Sequence, residues 1–275
     1  MKFFPGKNRG RPMKAICLSL LIVLSIPVFA QKNDRLPKNL LGKSYWGVSI
    51  APSLIENGHI HGDKNKYQIS STPQFGGEVL INYYYNFESN YVLVFSAGAE
   101  LLVHDFNYEI PKEMFDSVGG TNISLNPVGP IKMSSSYLKA QAEVQSKFHK
   151  KHKKSWVGVV GLSILYPIQG GDEYSAGILW GSNSQSAEEY LLIQYDYYEQ
   201  RPLLNFHISG GHEWILNRGN LLQANVKVNF SPVTFAYATY RFNVGNQPEV
   251  SGNYRISGSY IGLCISYVFA RSKKG

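Results

Sequence analysis

Apolar and polar positions alternate with a period of two through most of the chain after residue 43. The clearest run is 137–148, and its two faces separate as follows: Leu138, Ala140, Ala142, Val144 and Phe148 against Lys139, Gln141, Glu143, Gln145 and Lys147. This period is that of a β-strand with one apolar and one polar face. The same reading predicts eight strands, at 44–54, 74–87, 91–109, 134–149, 155–168, 201–215, 221–240 and 253–269.

The connections between these predicted strands are alternately short and long. Short connections, at 88–90, 150–154 and 217–220, follow the second, fourth and sixth strands, and long ones follow the first, third, fifth and seventh. Outer-membrane barrels have this alternation, whereas a soluble sandwich has no reason to keep it. We therefore predict an all-β fold: an eight-stranded antiparallel transmembrane β-barrel with short periplasmic turns and long extracellular hairpin loops. A soluble periplasmic β-sandwich is the alternative.

Aromatic residues lie at the strand ends next to the short turns, and also where the first strand begins and the last strand ends. Seven such positions are Trp46, Phe87, Tyr91, Phe148, Trp156, Trp214 and Phe269. Bands of this kind form aromatic girdles at membrane interfaces, where an apolar ring with a polar edge is favoured. The sequence therefore predicts a periplasmic aromatic girdle at these seven residues.

The first 30 residues have the composition of a cleaved signal peptide. Lys14 precedes the apolar run 15–29, and Ala30 is a small residue at the expected cleavage point. Met1 and Met13 are both candidate starts. We expect a signal peptide at 1–30, a short periplasmic segment at 31–43, the barrel at 44–269 and a basic tail at 270–275.

Removing the predicted signal changes what the charge implies. The formal net charge of the whole chain is +8, and residues 1–30 hold five basic residues and no acidic one, so the mature charge is +3. A charge of that size gives no reason to expect a nucleic-acid partner. Cys17 leaves with the signal, so Cys264 has no disulfide partner. We find no sequence motif for a cofactor or a metal.

The last predicted strand ends in Tyr260-x-Gly262-x-x-Ile265-x-Tyr267, followed by Phe269. This ending is similar to the C-terminal signal that the barrel-assembly machinery reads. The chain as a whole resembles the small outer-membrane barrels of the OmpX or OmpA-transmembrane type, and especially the PorT-like outer-membrane β-barrel class. The resemblance implies contact with outer-membrane lipid and lipopolysaccharide, insertion by the barrel-assembly machinery, and an accessory role in secretion beside other envelope proteins.

A polar cluster is predicted inside the barrel, on the strand faces opposite to the girdle. It comprises Glu78, Glu100, Lys139, Glu143 and Lys227. The tight turn at 88–90 sets Glu78 opposite Glu100, and two facing carboxylates need a nearby cation or a shared proton. Lys139 is our candidate for it. An eight-stranded barrel leaves an interior that side chains fill, so this cluster predicts a polar plug, with an ion-conducting gate as the alternative.

The longest connection suggests an extracellular binding hairpin. Both of its arms are strand-like and aromatic, with candidate contact residues at Tyr174, Trp180, Tyr190, Tyr195, Tyr197 and Tyr198. An exposed strand edge with aromatic side chains is suited to protein binding. The alternative is a stiff projection that packs on its neighbours.

Two further features are weaker. The basic run 149–154 is predicted to contact anionic lipid head groups or a periplasmic partner, and the alternative is a solvated turn. His104, Asp105 and the serines at 134–136 are predicted to lie together near the outer rim of the barrel, where a lipid-modifying enzyme would need them. We nevertheless predict a non-enzymatic barrel that presents extracellular loops for binding or for docking to an envelope complex. A narrow pore is the first alternative, and an outer-membrane lipid-modifying enzyme is the second.

Overall fold

The structure is a computed structural model. It describes residues 44–62, 68–88, 90–109, 128–151, 154–168, 174–181, 190–199, 202–216, 219–244 and 248–269. The predicted signal peptide at 1–30, the segment at 31–43 and the tail at 270–275 lie outside these ranges. Within them, no helix has the length and apolar character needed to cross a membrane.

Eight antiparallel strands close into a barrel, which confirms the predicted fold class. They are β1 (Ser44–Ile55), β3 (Gln74–Asn86), β4 (Tyr91–Glu109), β5 (Val128–Lys151), β6 (Lys154–Pro167), β9 (Leu203–Ile215), β10 (Leu221–Phe230) and β13 (Tyr260–Val268). Their order around the barrel is β1-β13-β10-β9-β6-β5-β4-β3, and β3 pairs with β1 to close the ring. A closed ring leaves no unpaired edge.

The five remaining strands form a second sheet at the end of the barrel where the long connections lie. They are β2 (His59–Gly62), β7 (Tyr174–Gly181), β8 (Tyr190–Glu199), β11 (Thr234–Val244) and β12 (Val250–Ser257), in the order β2-β12-β11-β8-β7. The arms of three barrel hairpins therefore continue into a common sheet. The paired strands β4 and β5 also continue past the barrel, to the pair Glu109 and Val128.

The predicted extents of two strands are wrong. Each of these predicted strands is in fact two strands, which belong to different sheets. The run 221–240 breaks at 231–233 into β10 and β11, and the run 253–269 breaks at 258–259 into β12 and β13. Pro232 lies in the first break, and a proline cannot donate to a central strand ladder. Pro167 and Pro202 flank the equivalent junctions at the end of β6 and the start of β9.

The barrel has an apolar outer face and a polar inner face. On β1, for example, Trp46, Val48 and Ile50 are exposed while Ser49 and Ser53 are buried. The exposed apolar face continues around the ring, on Phe75, Val79, Ile81, Phe95, Leu138, Leu162, Ile164, Ile208, Val226, Ile261 and Leu263. A soluble protein does not expose a continuous apolar band of this extent, so the barrel is of the transmembrane type.

Two apolar clusters lie inside the chain, one at each end of the polar lumen. The larger one joins the top of the barrel to the second sheet and includes Phe106, Tyr240 and Tyr254. The smaller one lies at the short-turn end and comprises Tyr45, Tyr84, Val92, Val94, Leu221 and Val268, with Ile215 packed against it. The polar interior is therefore bounded by apolar packing on both sides.

Candidate functional site: the barrel interior

Four charged side chains meet in the half of the lumen that is nearer the second sheet. Glu78 on β3 is the register partner of Glu100 on β4. The ammonium group of Lys139 on β5 donates to Glu78 Oε2 and to Glu100 Oε2, each at 2.5 Å. Lys227 on β10 donates to Glu78 Oε1 at 2.6 Å. We call Glu78, Glu100, Lys139 and Lys227 the charge tetrad.

The tetrad balances two carboxylates against two ammonium groups. All four residues are almost fully buried, with 2 to 4% of their surface exposed. Burying charges is costly unless they are paired and hydrogen-bonded, and removing one partner leaves an uncompensated charge. Lys139 is therefore the residue on which the tetrad depends, because it touches both carboxylates.

Tyr260 is hydrogen-bonded to the charge tetrad, although the sequence had suggested another role for it. Its hydroxyl donates to Glu78 Oε2 at 3.0 Å and accepts from Lys139 Nζ at 3.2 Å. The sequence motif that contains Tyr260 suggested only an insertion signal. Its parity could have revealed the lumen role, because Tyr260 and Gly262 alternate with the outward-facing Ile261 and Leu263.

Glu143 also lies in the lumen, in a separate group on the short-turn side of the tetrad. Its Oε1 atom is 2.6 Å from Nε2 of His207 on β9 and accepts from Gln141 Nε2 at 3.1 Å. Gln141 also accepts from Lys227 Nζ at 3.3 Å, which links this group to the tetrad. The predicted five-residue cluster is therefore a tetrad and a neighbouring carboxylate–imidazole pair.

A third ion pair lies at the short-turn end. Lys147 Nζ donates to both carboxylate oxygens of Glu213, at 2.9 and 2.7 Å. Ser155 and Gln223 also donate to this carboxylate, at 3.2 and 2.7 Å. Because Lys139, Gln141, Glu143 and Lys147 share the inward face of β5, one strand supplies a column of polar groups along the lumen.

Apolar side chains close the lumen beside these polar groups. At the short-turn end, the rings of Tyr45 and Tyr84 stack with their centroids 4.9 Å apart and their planes at 8°. At the other end, Tyr137 is fully buried and packs edge-on against Phe235, at 6.0 Å. These rings lie toward the two ends of the lumen, and the polar side chains of the charged groups described above are themselves mostly buried.

The seven girdle residues lie on the barrel strands or directly beside them, at the short-turn end. Trp46, Phe87, Trp156 and Phe269 are exposed, and Tyr91, Phe148 and Trp214 are partly exposed. Several are in ring contact with neighbours, such as Phe87 with Tyr91 at 6.0 Å. Of the predicted insertion motif, Ile265 and Phe269 face outward, Tyr267 is partly exposed, and Tyr260 and Gly262 face inward.

The residues that the sequence suggests for catalysis lie beyond the exposed apolar face of the barrel, on the side of the second sheet. We call that apolar face the apolar belt. His104 is buried and packs edge-on against Phe235, at 5.7 Å. Asp105 faces the other side of β4, where it accepts hydrogen bonds from the backbone and hydroxyl of Thr72 at 2.8 and 2.6 Å. Ser134 and Ser136 are exposed. Asp105 therefore anchors the loop before β3.

The predicted binding hairpin contributes β7 and β8 to the second sheet. In register, Tyr174 pairs with Tyr197, and Tyr198 pairs with Tyr237 of β11. The hairpin is thus part of a sheet. The side chains of its six candidate residues lie outside the described part of the structure. Among the described side chains, no group of three His, Cys, Asp or Glu residues is arranged to hold a metal ion.

No protein-family model matches the chain, and no curated protein matches it. Among solved structures, the outer membrane protein OprG from Pseudomonas aeruginosa aligns at 10% identity over 84% of this chain and 98% of its own, with a TM-score of 0.43. The outer membrane protein AlkL, solved in lipid bilayers, aligns at 15% identity over 89% and 99%, with a TM-score of 0.41. Both scores are low, and the architecture described above rests on the closed sheet and its two faces.

Proposed function

We propose that this chain is an outer-membrane protein whose barrel is a closed, non-conducting anchor for an extracellular binding sheet. The observation that carries the proposal is the filled interior. The charge tetrad and the two apolar clusters occupy the lumen, while the same strands continue into a second sheet beyond the apolar belt. In this orientation the short turns face the periplasm, as in other outer-membrane barrels.

The second sheet is suited to binding. Its exposed face carries Tyr237, Arg255 and Asn253, with the Tyr237 hydroxyl donating to Asn253 at 2.6 Å and the Arg255 guanidinium 6.0 Å from the Tyr237 ring. Aromatic and arginine side chains with a fixed geometry are enriched in protein interfaces. We infer that the function is binding without catalysis, and that docking to other envelope proteins takes place through this sheet.

A narrow pore is the competing proposal, because the lumen is polar along much of its length. Planar-bilayer recordings of the full chain separate the two. We expect no steady conductance from the unaltered chain and none from Glu100→Gln, although that variant removes a lumen charge and alters thermal stability. A conductance whose ion selectivity changes in Glu100→Gln would contradict a closed anchor.

Gentle-detergent extraction of native outer membranes tests the docking. We expect discrete co-migration with another envelope protein on native gels, and its loss when residues 174–199 are replaced by a short turn. The matched control is Glu100→Gln, which leaves the second sheet intact and keeps the co-migration. A species of monomer mass from the unaltered chain would contradict docking.

A further inference from the structure

On the lipid-facing side of β6 and β9, the imidazole ring of His212 lies between the indole rings of Trp156 and Trp214. The imidazole centroid of His212 lies 3.7 Å from that of Trp156 and 5.7 Å from that of Trp214. His212 is partly exposed on the same face as Leu204 and Ile208, which point toward lipid. An ionisable ring on this face is accommodated where head groups and water begin. This row therefore lies at the membrane interface.

Basic charge is concentrated beside the same row. Lys154 is exposed and is the register partner of Trp214. In the sequence, all six residues from His149 to Lys154 are basic, whereas the other short connections contribute only Glu88 and Arg218 as charged residues. This short connection therefore carries a run of positive charge that the other two short connections lack, and such clusters attract anionic lipid head groups.

One row further toward the membrane centre, two glycines pair directly. Gly158 on β6 is the register partner of Gly210 on β9. A Cβ atom on Gly210 would find only the carbonyl oxygen of Val157, at 3.9 Å, and one on Gly158 would touch the Phe148 ring at 3.5 Å. Close packing in the fold therefore does not require glycine at either position.

Glycines on the inward faces differ in this respect. A Cβ atom on Gly98 or Gly211 would lie 2.0 Å from a backbone oxygen, so only glycine fits there. Glycine weakens a strand and often marks a place where another molecule approaches the backbone. The pair at 158 and 210 thus leaves a shallow recess in the lipid-facing surface, next to an aromatic and basic rim.

We propose that this patch, formed by Lys154, Trp156, Gly210, His212 and Trp214, binds one phospholipid with an anionic head group. The phosphate lies at Lys154 and His212, and the glycerol region and first acyl carbons lie against Trp156 and in the recess at Gly210. The charge of the rim selects an anionic over a zwitterionic lipid. This inference rests on the proposed membrane location, since the patch would face water in a soluble protein.

Tryptophan quenching by lipid tests the proposal. The full chain, with Trp46→Phe and Trp180→Phe so that Trp156 and Trp214 report, is placed in vesicles of brominated phosphatidylcholine. Unbrominated phosphatidylglycerol should relieve quenching at about one-fifth of the mole fraction that unbrominated phosphatidylcholine requires, a factor that a single basic residue near an anionic surface supplies. High salt should reduce this preference.

The variants Lys154→Gln and Gly210→Val should each lower the preference for phosphatidylglycerol. Their matched controls are Lys132→Gln, which removes an exposed charge at the opposite end of β5, and Ala140→Val, which enlarges another lipid-facing residue of the belt. Heat-dependent mobility on gels confirms that each variant has folded. The controls should retain the preference of the reporter chain.

Three outcomes would overturn the lipid site. One is equal relief by the two lipids, and another is the same loss in Lys132→Gln as in Lys154→Gln. The third is a cross-linked dimer that Gly210→Val abolishes, because the recess would then pack against a second copy of the chain. Failure of the membrane location itself gives a different signal, namely no quenching by brominated lipid at all.

Discussion

Strand β4 passes through two regions whose inward and outward faces have opposite chemistry. In the barrel its inward face holds Ser96 and Glu100, and its outward face holds Phe95. Beyond Leu101 the inward face holds Leu102, His104, Phe106 and Tyr108, and the other side carries Val103, Asp105, Asn107 and Glu109. The strand keeps its alternation, but from Asp105 onward apolar and polar residues exchange faces.

The surrounding solvent explains this exchange. Lipid outside the barrel favours apolar side chains, and the narrow interior is then filled by polar groups that satisfy one another. Above the belt the strand meets water, so its apolar side chains pack inward against the second sheet, as in a soluble protein. The hairpin of β4 and β5 therefore extends from the barrel into a region that packs against the second sheet, and each half should respond differently to substitution.

The largest effect is expected at Lys139. Lys139→Met leaves two buried carboxylates facing each other, which should cost about 3–5 kcal/mol of barrel stability. Urea unfolding in lipid vesicles, followed by heat-modified gel mobility, measures this cost. Adding Glu100→Gln should restore part of it, and the matched control Leu138→Met, on the lipid face, should change little. Equal stability of Lys139→Met and the unaltered chain would contradict the tetrad.

A second pair compares the same residue type on the two halves of β4. Phe106→Ala should cost about 3–5 kcal/mol in the second sheet, because Phe106 is fully buried against Tyr240, Phe242 and Tyr254. Phe95→Ala should cost much less, since lipid tails replace the lost contacts. Hydrogen exchange should show faster exchange in β11 and β12 for Phe106→Ala, with the barrel unchanged.

Comparable loss of protection in both regions would mean that the barrel and the second sheet unfold as one unit. The two halves of β4 would then share one free energy of unfolding. Protection that is unchanged everywhere in Phe106→Ala would contradict the apolar core above the belt.

The smallest effect is expected from acid at Asp105, which lies beyond the belt. Burial alone raises the pKa of Asp105, but hydrogen bonds from Thr72, Asn107 and Ser71 outweigh it and lower the pKa below its usual value. A lowered pKa means that Asp105 stabilises the fold fully above a pH of about 4 and loses this contribution as the pH falls through its own pKa. Exchange at residues 68–74 should therefore quicken in strong acid.

Asp105→Asn should lower the protection of residues 68–74 at neutral pH and remove the acid dependence. The tetrad is enclosed in the lumen, so barrel mobility on gels should stay constant in the same pH range. Acid dependence that persists in Asp105→Asn would assign the effect to another group.

Much of the fold was predictable because a membrane barrel repeats simple rules. The alternation in 137–148 places Lys139 and Glu143 inward, and the short turn at 88–90 sets Glu78 against Glu100. The second sheet was not predicted, since the alternation continues through 221–240 while the strand changes sheets. Pro232 was the available signal, because it interrupts a run that would otherwise be a central strand.

The sequence by itself determined the period of each strand, the apolar outward face, the aromatic residues at the strand ends beside the short turns and the pairing of nearest-neighbour strands, because these depend on local spacing. Only the tertiary structure decided which distant groups meet in the lumen. Tyr260 reaches Glu78 and Lys139, and His207 reaches Glu143, across a ring whose closure brings residues more than 60 positions apart into contact. Contacts across a closed barrel depend on strand tilt and stagger, which no local pattern specifies.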